Sequence, residues 1–136
     1  MNGKKAFPSI EKMLEADNFS KWLGVTIMET KEGYSKIKMT VRKEMLNGFA
    51  IAHGGIAFSL ADSALAFASN SAEEKTVTIE AVISFLKPAY ENDILIATAT
   101  QKSFHKSINV FDIHIEKENG EMIALFRGTV KMILTR

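Results

Sequence analysis

Residues 47–70 read NGFAIAHGGIAFSLADSALAFASN. The segment passes from a turn-forming Asn-Gly pair through His-Gly-Gly into an apolar run, 56–68, that a single acidic residue, Asp62, interrupts. Such a run predicts a helix that is buried on nearly every side and around which the rest of the chain folds. Because burying an unpartnered carboxylate costs several kcal/mol, Asp62 must be hydrogen-bonded, ion-paired or placed in an open cleft.

The position of Asp62 on the predicted helix makes a reactive role worth considering. One narrow helical face holds this acid together with small residues, spaced three or four apart: Gly55, Ser59, Asp62, Ala66 and Ser69. Gly54 and Gly55 leave backbone N–H groups unobstructed at the positive end of the helix dipole, where a carbonyl oxygen that gains charge is stabilised. From the residues alone, Asp62 is either a structural acid in a packing contact or a functional carboxylate.

Composition bounds the class of protein. The 136 residues are 46% hydrophobic and 24% charged, which predicts one domain over 1–136. A net charge of +1 without a basic cluster gives no reason to expect a nucleic-acid partner. Cysteine is absent, and no apolar run reaches the roughly 20 residues of a membrane span. With no signal peptide evident, we expect a cytoplasmic protein without a membrane partner.

The remaining segments predict an α+β fold. A helix is predicted over 9–23, within an N-terminal helical segment 1–23, and a hairpin over 25–31 and 34–43. Four more strands are predicted after the central helix: 76–86, 93–103, 107–117 and 121–134. Short turns join most of them, which favours an antiparallel sheet. A sheet wrapped around one long buried helix is the hotdog arrangement.

Six short segments carry a resemblance to a known family. They are 45–48 (MLNG), 53–55 (HGG), 60–62 (LAD), 68–71 (ASNS), 85–88 (FLKP) and 124–128 (ALFRG). Together they resemble the PaaI-type hotdog thioesterases, the phenylacetate-pathway group that hydrolyses aromatic acyl-CoA esters. HGG alone is a weak motif, but its spacing to the downstream LAD, with NG before and FLKP after, is a specific combination. The likeness extends over about 20–134.

The resemblance implies roles for five catalytic candidates. Asp62 would be the general base or the carboxylate nucleophile, and the sequence does not choose between them. The backbone N–H of Gly54, alone or with that of Gly55, would polarise the thioester carbonyl. Asn47 would orient the water or the carbonyl, unless it is only a turn residue. His53 would position the site, with a simple helix cap as its alternative.

Substrate contacts follow from the same resemblance. The acyl pocket is expected to use Met45, Phe49, Phe58, Ser59 and Ser69. Flat apolar walls suit an aromatic group, so we expect preference for phenylacetyl-CoA or hydroxyphenylacetyl-CoA over long fatty acyl-CoA.

Coenzyme A is expected to enter only as part of the substrate and product, with no other cofactor. Its phosphates would meet basic turn residues, Lys87, His105 and Lys106, unless these are ordinary solvated charges. The family often has Gly-Arg where this chain has residues 104–107, so that contact departs from the pattern. No metal is expected, because His53, His105 and His114 are dispersed and no acidic cluster joins them.

The resemblance also implies an assembly. Segment 76–85 would pair edge to edge with its copy in a homodimer, and two dimers would form a homotetramer. Asp62 of one chain would then face Asn47, His53 and Gly54 of its neighbour. Two other classes stay open: a hotdog enoyl-CoA hydratase and a non-catalytic acyl-CoA-binding protein.

Overall fold

A computed structural model describes residues 8–70 and 74–133. Two short helices come first, α1 (Pro8–Ala16) and α2 (Asn18–Leu23). The single helix predicted over 9–23 is therefore wrong. Asp17 separates the two helices because its side chain caps α2, accepting a 3.0 Å hydrogen bond from the backbone N–H of Ser20. Residues 1–7 of the predicted N-terminal segment lie outside the described residues.

The predicted hairpin is confirmed. Strands β1 (Thr26–Lys31) and β2 (Tyr34–Thr40) pair antiparallel around Gly33, whose φ of 73° suits a glycine. The second strand ends at Thr40 rather than at 43, since a short 3₁₀ helix (Lys43–Met45) follows.

The central helix, α3, runs over Gly54–Ser69. Four strands follow it: β3 (Lys75–Phe85), β4 (Ile94–Gln101), β5 (Ile108–Lys117) and β6 (Met122–Ile133). They match the predicted strands to within two residues at each described end, and residue 134 lies outside the described part. All pairings are antiparallel, in the order β1-β2-β4-β5-β6-β3. The α+β hotdog fold is thus confirmed.

Helix α3 forms the core with the inner face of the sheet. Its buried apolar residues include Leu60, Leu65 and Phe67, which share one cluster with strand residues such as Ile37 and Ile113. Every fully buried Leu or Ile side chain of this kind contributes about 1.5–3 kcal/mol through the hydrophobic effect. The core therefore fixes the helix rotation, and with it the direction of the opposite face.

The face of α3 that carries Asp62 is open in the single chain. Gly55 is exposed, and Ser59, Asp62, Ala66 and Ser69 are all partly exposed, while the other faces are buried. The predicted stripe of small and polar residues is confirmed. The prediction of a helix buried on nearly every side holds only for the remaining faces.

Strand β3 forms one edge of the sheet. Within the described ranges it pairs only with β6, so its outer edge has unpaired backbone groups. It also exposes large apolar side chains, including Val77, Ile79, Val82 and Phe85 at 45–60%. A long apolar edge strand of this kind is a template for pairing with another chain.

No helix within residues 8–70 and 74–133 combines the length and the apolar character that crossing a membrane requires.

Candidate active site

Asp62 lies half-buried in the middle of α3, beside the edge strand β3. Thr78 of that strand donates a long hydrogen bond, 3.5 Å, to its Oδ1. Burial raises the pKa of Asp62 above its ordinary value, although the Thr78 hydrogen bond opposes this and the charge of Asp17 adds to it. The group is therefore a carboxylate of increased basicity on an accessible helix face, as a general base requires.

The start of α3 offers one unpaired backbone donor. His53 caps the helix, its Nδ1 accepting a 3.0 Å hydrogen bond from the Gly55 N–H. The Gly54 N–H has no partner within 8–70 and 74–133. Of the two candidate donors, Gly54 is thus the one left free to meet a carbonyl oxygen, and His53 is a cap in this chain.

Asp62 and Gly54 of one chain are too far apart to act on the same thioester. Eight residues of helix separate them, which corresponds to about 12 Å along the axis. A carbonyl carbon and its oxygen are little more than an ångström apart, so acid and donor must each lie within about 3 Å of nearly the same point. Within one chain, Asp62 and the Gly54 N–H therefore cannot meet the same carbonyl group.

Asn47 lies in a tight loop that leads into α3. Its Oδ1 accepts hydrogen bonds from the N–H groups of Phe49 (2.9 Å) and Ile51 (3.3 Å), and Ala50 takes a positive φ of 63°. The turn role is thus present in the structure. The side-chain NH₂ of Asn47 has no partner in the described part of the chain and remains available to a substrate or water.

A cavity of about 310 Å³ lies against the start of α3. Its walls include Phe19, Trp22, Met45, His53, Ile56 and Ser59. Two of the predicted acyl-pocket residues, Met45 and Ser59, therefore line it. Met45 is itself almost fully buried.

The other three predicted pocket residues do not line this cavity. Phe58 packs edge-on against Phe126, with ring centroids 5.2 Å apart, and Ser69 shares a 2.7 Å hydrogen bond with Thr76. Phe49 is 86% exposed on the loop before α3. None of the three lies at the cavity within one chain. Ser69 lies at the end of α3 next to β3, Phe58 lies against β6, and Phe49 lies at the tip of the loop before α3.

Sequence reasoning missed the cavity wall that α2 supplies. Phe19 and Trp22 are three residues apart, a spacing that places two side chains on one face of a helix. That spacing is the signal that could have found the wall. Both rings are exposed in the single chain, Phe19 to 53% and Trp22 to 47%.

The predicted coenzyme A contacts lie at opposite ends of the sheet in one chain. Lys87 comes just after β3, whose last residue pairs with Ala124 of β6. The Nζ atom of Lys87 lies 3.0 Å from the Glu121 carboxylate. His105 and Lys106 precede β5, whose first residue pairs with Lys131. Seven residues along β6 separate these two levels, about 24 Å. The three residues do not surround one point of a single chain.

Side chains that bind metals do not gather in the described segments. No group of three or more His, Cys, Asp or Glu side chains there is arranged to hold an ion.

A buried polar contact joins α2 to α3 next to Asp62. The Oγ atoms of Ser20 and Ser63 are 2.7 Å apart, and the Ser20 hydroxyl donates to Asp17 at 2.7 Å. Asp17 is thereby fixed near Asp62, close enough for its charge to affect the pKa of that acid.

Replacing Asp17 with Asn should lower the pKa of Asp62. In a plot against pH of the rate of any reaction in which Asp62 acts as a base, the fall in rate at acid pH should then move to lower pH. Removing the negative charge lowers the pKa of Asp62, which then stays ionised at lower pH, while the Asn oxygen can still cap α2. Glu11→Gln, a loss of the same charge on α1, serves as the control. An acid limb that stays in place or moves to higher pH would show that Asp17 does not act on Asp62.

The fold and this geometry define a class of protein. A sheet wrapped around one central helix is the hotdog fold. The model of the thioesterase superfamily matches residues 49–124.

Comparisons with individual proteins are more specific. The chain is 41% identical to the acyl-coenzyme A thioesterase PaaI of Escherichia coli K12 over 124 residues, 91% of this chain and 89% of that protein. The structure of the E. coli PaaI protein, from the phenylacetic acid degradation operon, superposes with a TM-score of 0.89 at 40% identity, covering 91% and 90% of the two chains.

A second solved structure is similar over nearly its whole length. It is a point mutant of the phenylacetic acid degradation protein PaaI from Thermus thermophilus, with a TM-score of 0.81 at 29% identity. The match covers 85% of this chain and 98% of that chain. The chain belongs to the thioesterase superfamily, and within it to the PaaI-type acyl-CoA thioesterases.

Proposed function

We propose that this acyl-CoA thioesterase hydrolyses aromatic acyl-CoA esters, such as phenylacetyl-CoA or hydroxyphenylacetyl-CoA, at a site shared by two chains. The observation that carries the proposal is that one helix presents both an accessible acid of raised pKa, Asp62, and a free backbone N–H, at Gly54. The aromatic acyl group is inferred from two PaaI relatives of known structure, one from the phenylacetic acid degradation operon of E. coli and one described as a phenylacetic acid degradation protein. Aromatic side chains around the cavity support the same choice.

The proposed chemistry is hydrolysis without a cofactor of the protein. The Gly54 N–H polarises the carbonyl, Asp62 accepts a proton from water, and the resulting hydroxide adds to the carbonyl carbon. The carbon–sulfur bond then breaks and the proton held by Asp62 passes to the leaving sulfur, which gives the free acid and coenzyme A thiol and restores the carboxylate. In the alternative route, Asp62 adds directly and water hydrolyses the anhydride that forms. Both routes need the same two groups.

The second chain is proposed to pair with β3. Asp62 contacts Thr78 on this strand, while Gly54 lies beside Phe85, whose Cζ would be 3.1 Å from a Cβ at position 54. Thr78 and Phe85 are at two ends of the same unpaired edge. An antiparallel two-fold pairing that sets Thr78 opposite Phe85 of the partner subunit brings each Asp62 toward the other chain's Gly54.

The same pairing accounts for the separated coenzyme A candidates. Lys87 follows Phe85, so an antiparallel partner carries its own Lys87 to the end of the sheet where His105 and Lys106 lie. These basic residues then come from two chains. The association of two such dimers into a homotetramer is proposed from the family resemblance, and a cytoplasmic location stays a prediction.

Val82→Glu should dissociate the dimer and reduce thioester hydrolysis by at least about 10²-fold, because each site loses the groups of its partner. Val82 is 60% exposed in the middle of β3, where a charge cannot be paired across the two-fold axis. Light scattering after size exclusion measures the mass, and thiol release measures the rate. Thr26→Glu, on the opposite edge strand β1, is the matched control. A fully active Val82→Glu monomer would contradict the shared site, and a fully active Val82→Glu dimer would contradict pairing through β3.

The substrate proposal is tested by thiol release, followed with a thiol-reactive chromophore. Phenylacetyl-, hydroxyphenylacetyl-, benzoyl-, hexanoyl- and palmitoyl-CoA form the panel. We expect the aryl esters to have the higher kcat/KM. Comparable values for palmitoyl-CoA and hydroxyphenylacetyl-CoA would refute the aromatic preference. Loss of crotonyl-CoA absorbance would indicate a hydratase, and coenzyme A binding without any thiol release would indicate a binding protein.

A further inference from the structure

Two aromatic side chains of α2 lie exposed without a role in the reaction described above. Phe19 is 53% exposed and Trp22 47% exposed, and their rings stack with centroids 6.0 Å apart and planes 20° from parallel. Aromatic side chains are enriched in ligand pockets and interfaces, and exposing their rings to water is unfavourable.

Both rings face the cavity at the start of α3. The opposite wall consists of α3 residues, including Ile56 and Ser59, and the capping residue His53. The free Gly54 N–H is next to His53, so a thioester carbonyl held there would lie beside this cavity.

We propose that Phe19 and Trp22 form the aromatic wall of the acyl pocket and select an aryl group one or two carbons from the thioester. This inference rests on the proposed function and names its specificity-determining residues. The cavity is lined by two aromatic rings beside the apolar side chains of Met45 and Ile56, which offers flat apolar surface to an aryl group.

Several contacts hold α2, and with it Phe19 and Trp22, in place beside α3. The Arg42 guanidinium lies 4.9 Å from the centroid of the Trp22 ring, donates to the carbonyl oxygens of Trp22 (2.7 Å) and Leu23 (3.2 Å), and pairs with Glu44. The Ser20–Ser63 contact ties α2 to α3. A pocket wall that is ordered before the ligand arrives loses less entropy on binding, which favours selectivity.

Trp22 is the only tryptophan of the chain, so its fluorescence reports directly on the wall. The first experiment titrates Asp62→Asn protein with phenylacetyl-CoA, acetyl-CoA and coenzyme A, and measures binding in parallel by calorimetry. We expect a saturable change in emission with phenylacetyl-CoA that is several-fold larger than with the other two. Equal responses to all three ligands, binding without a response, or no tighter binding of phenylacetyl-CoA than of coenzyme A would overturn the inference.

The second experiment compares substitutions by kcat/KM. Trp22→Leu and Phe19→Leu remove a ring and keep apolar bulk, and each should lower the value for phenylacetyl-CoA about tenfold while changing that for hexanoyl-CoA little. Trp22→Phe should restore most of the preference. Tyr90→Leu is the matched control. Tyr90 is 49% exposed, the Nζ atom of Lys117 lies 5.2 Å from its ring centroid, and it is not among the residues that line the cavity.

Two results of this comparison would contradict the proposal that Phe19 and Trp22 line the acyl pocket. One is an equal loss for both esters in a folded Trp22→Leu protein. The other is unchanged selectivity with a smaller assembled mass, which would assign the rings to a contact between chains. If no ester is hydrolysed at all, the proposed function fails, and the fluorescence titration still decides whether Trp22 contacts an acyl group.

Discussion

Asp62→Asn is expected to reduce thioester hydrolysis by at least about 10²-fold, since an amide neither accepts the proton of water nor attacks the carbonyl. The fold should survive. Asn has nearly the shape of Asp and can accept the Thr78 hydrogen bond, and burial already disfavours the charge that is removed. The measurement is kcat and KM for phenylacetyl-CoA by thiol release, with the assembled mass and circular dichroism recorded for both proteins.

The matched control is Asp112→Asn. Asp112 pairs with Arg127 on the sheet through two hydrogen bonds of 2.6 and 2.9 Å, so the same substitution there also removes one carboxylate. Its activity should stay close to wild type because surface ion pairs contribute little to stability. An Asp62→Asn protein with activity like that of Asp112→Asn would exclude Asp62 as the catalytic carboxylate.

Gly54→Pro is expected to lower kcat by about 10²- to 10³-fold, the usual effect of losing one oxyanion donor. Proline removes the N–H while remaining compatible with the first position of a helix. His53 already has φ of −59° and ψ of 140°, a conformation suited to the residue before a proline. The helix should therefore form normally, which circular dichroism and thermal unfolding would check.

Gly54→Ala separates the lost donor from the added bulk. Its Cβ would lie 3.1 Å from the tip of the Phe85 ring, which is 56% exposed and can shift by a few tenths of an ångström. Alanine keeps the N–H, so we expect kcat within about tenfold of wild type. If alanine and proline reduce kcat equally, crowding at Phe85 and not the donor is responsible.

The sequence predicted the parts of this fold that depend on local patterns. The 3.6-residue period placed Asp62 and Ser59 on one stripe of small and polar residues of α3; the structure confirms the stripe and shows that it is open in the single chain. Turn residues such as Asn119-Gly120 located the four strands after α3 to within two residues at their described ends. The resemblance to PaaI-type thioesterases added the family, which the comparisons confirm.

Features that depend on contacts between distant segments were not predictable. The break at Asp17 arises from a side-chain cap that outweighs the helix-forming residues on both sides. The spacing of Phe19 and Trp22 predicts that they share one face of α2, but that face lines a cavity only because α2 packs beside the start of α3, a contact between distant segments. Residues such as Lys87 and Lys106 were grouped by residue type, but the pairing of β6 sets them at opposite ends of the sheet.

The most direct test of the shared site mixes two inactive proteins. Asp62→Asn and Gly54→Pro chains are co-expressed with different tags, and dimers that carry both tags are isolated. In such a dimer one site has both defects, whereas the other combines an intact Asp62 with an intact Gly54. We predict that the mixed dimer recovers roughly half of the wild-type rate of phenylacetyl-CoA hydrolysis. A mixed dimer as inactive as its two parents would contradict a site built from two chains.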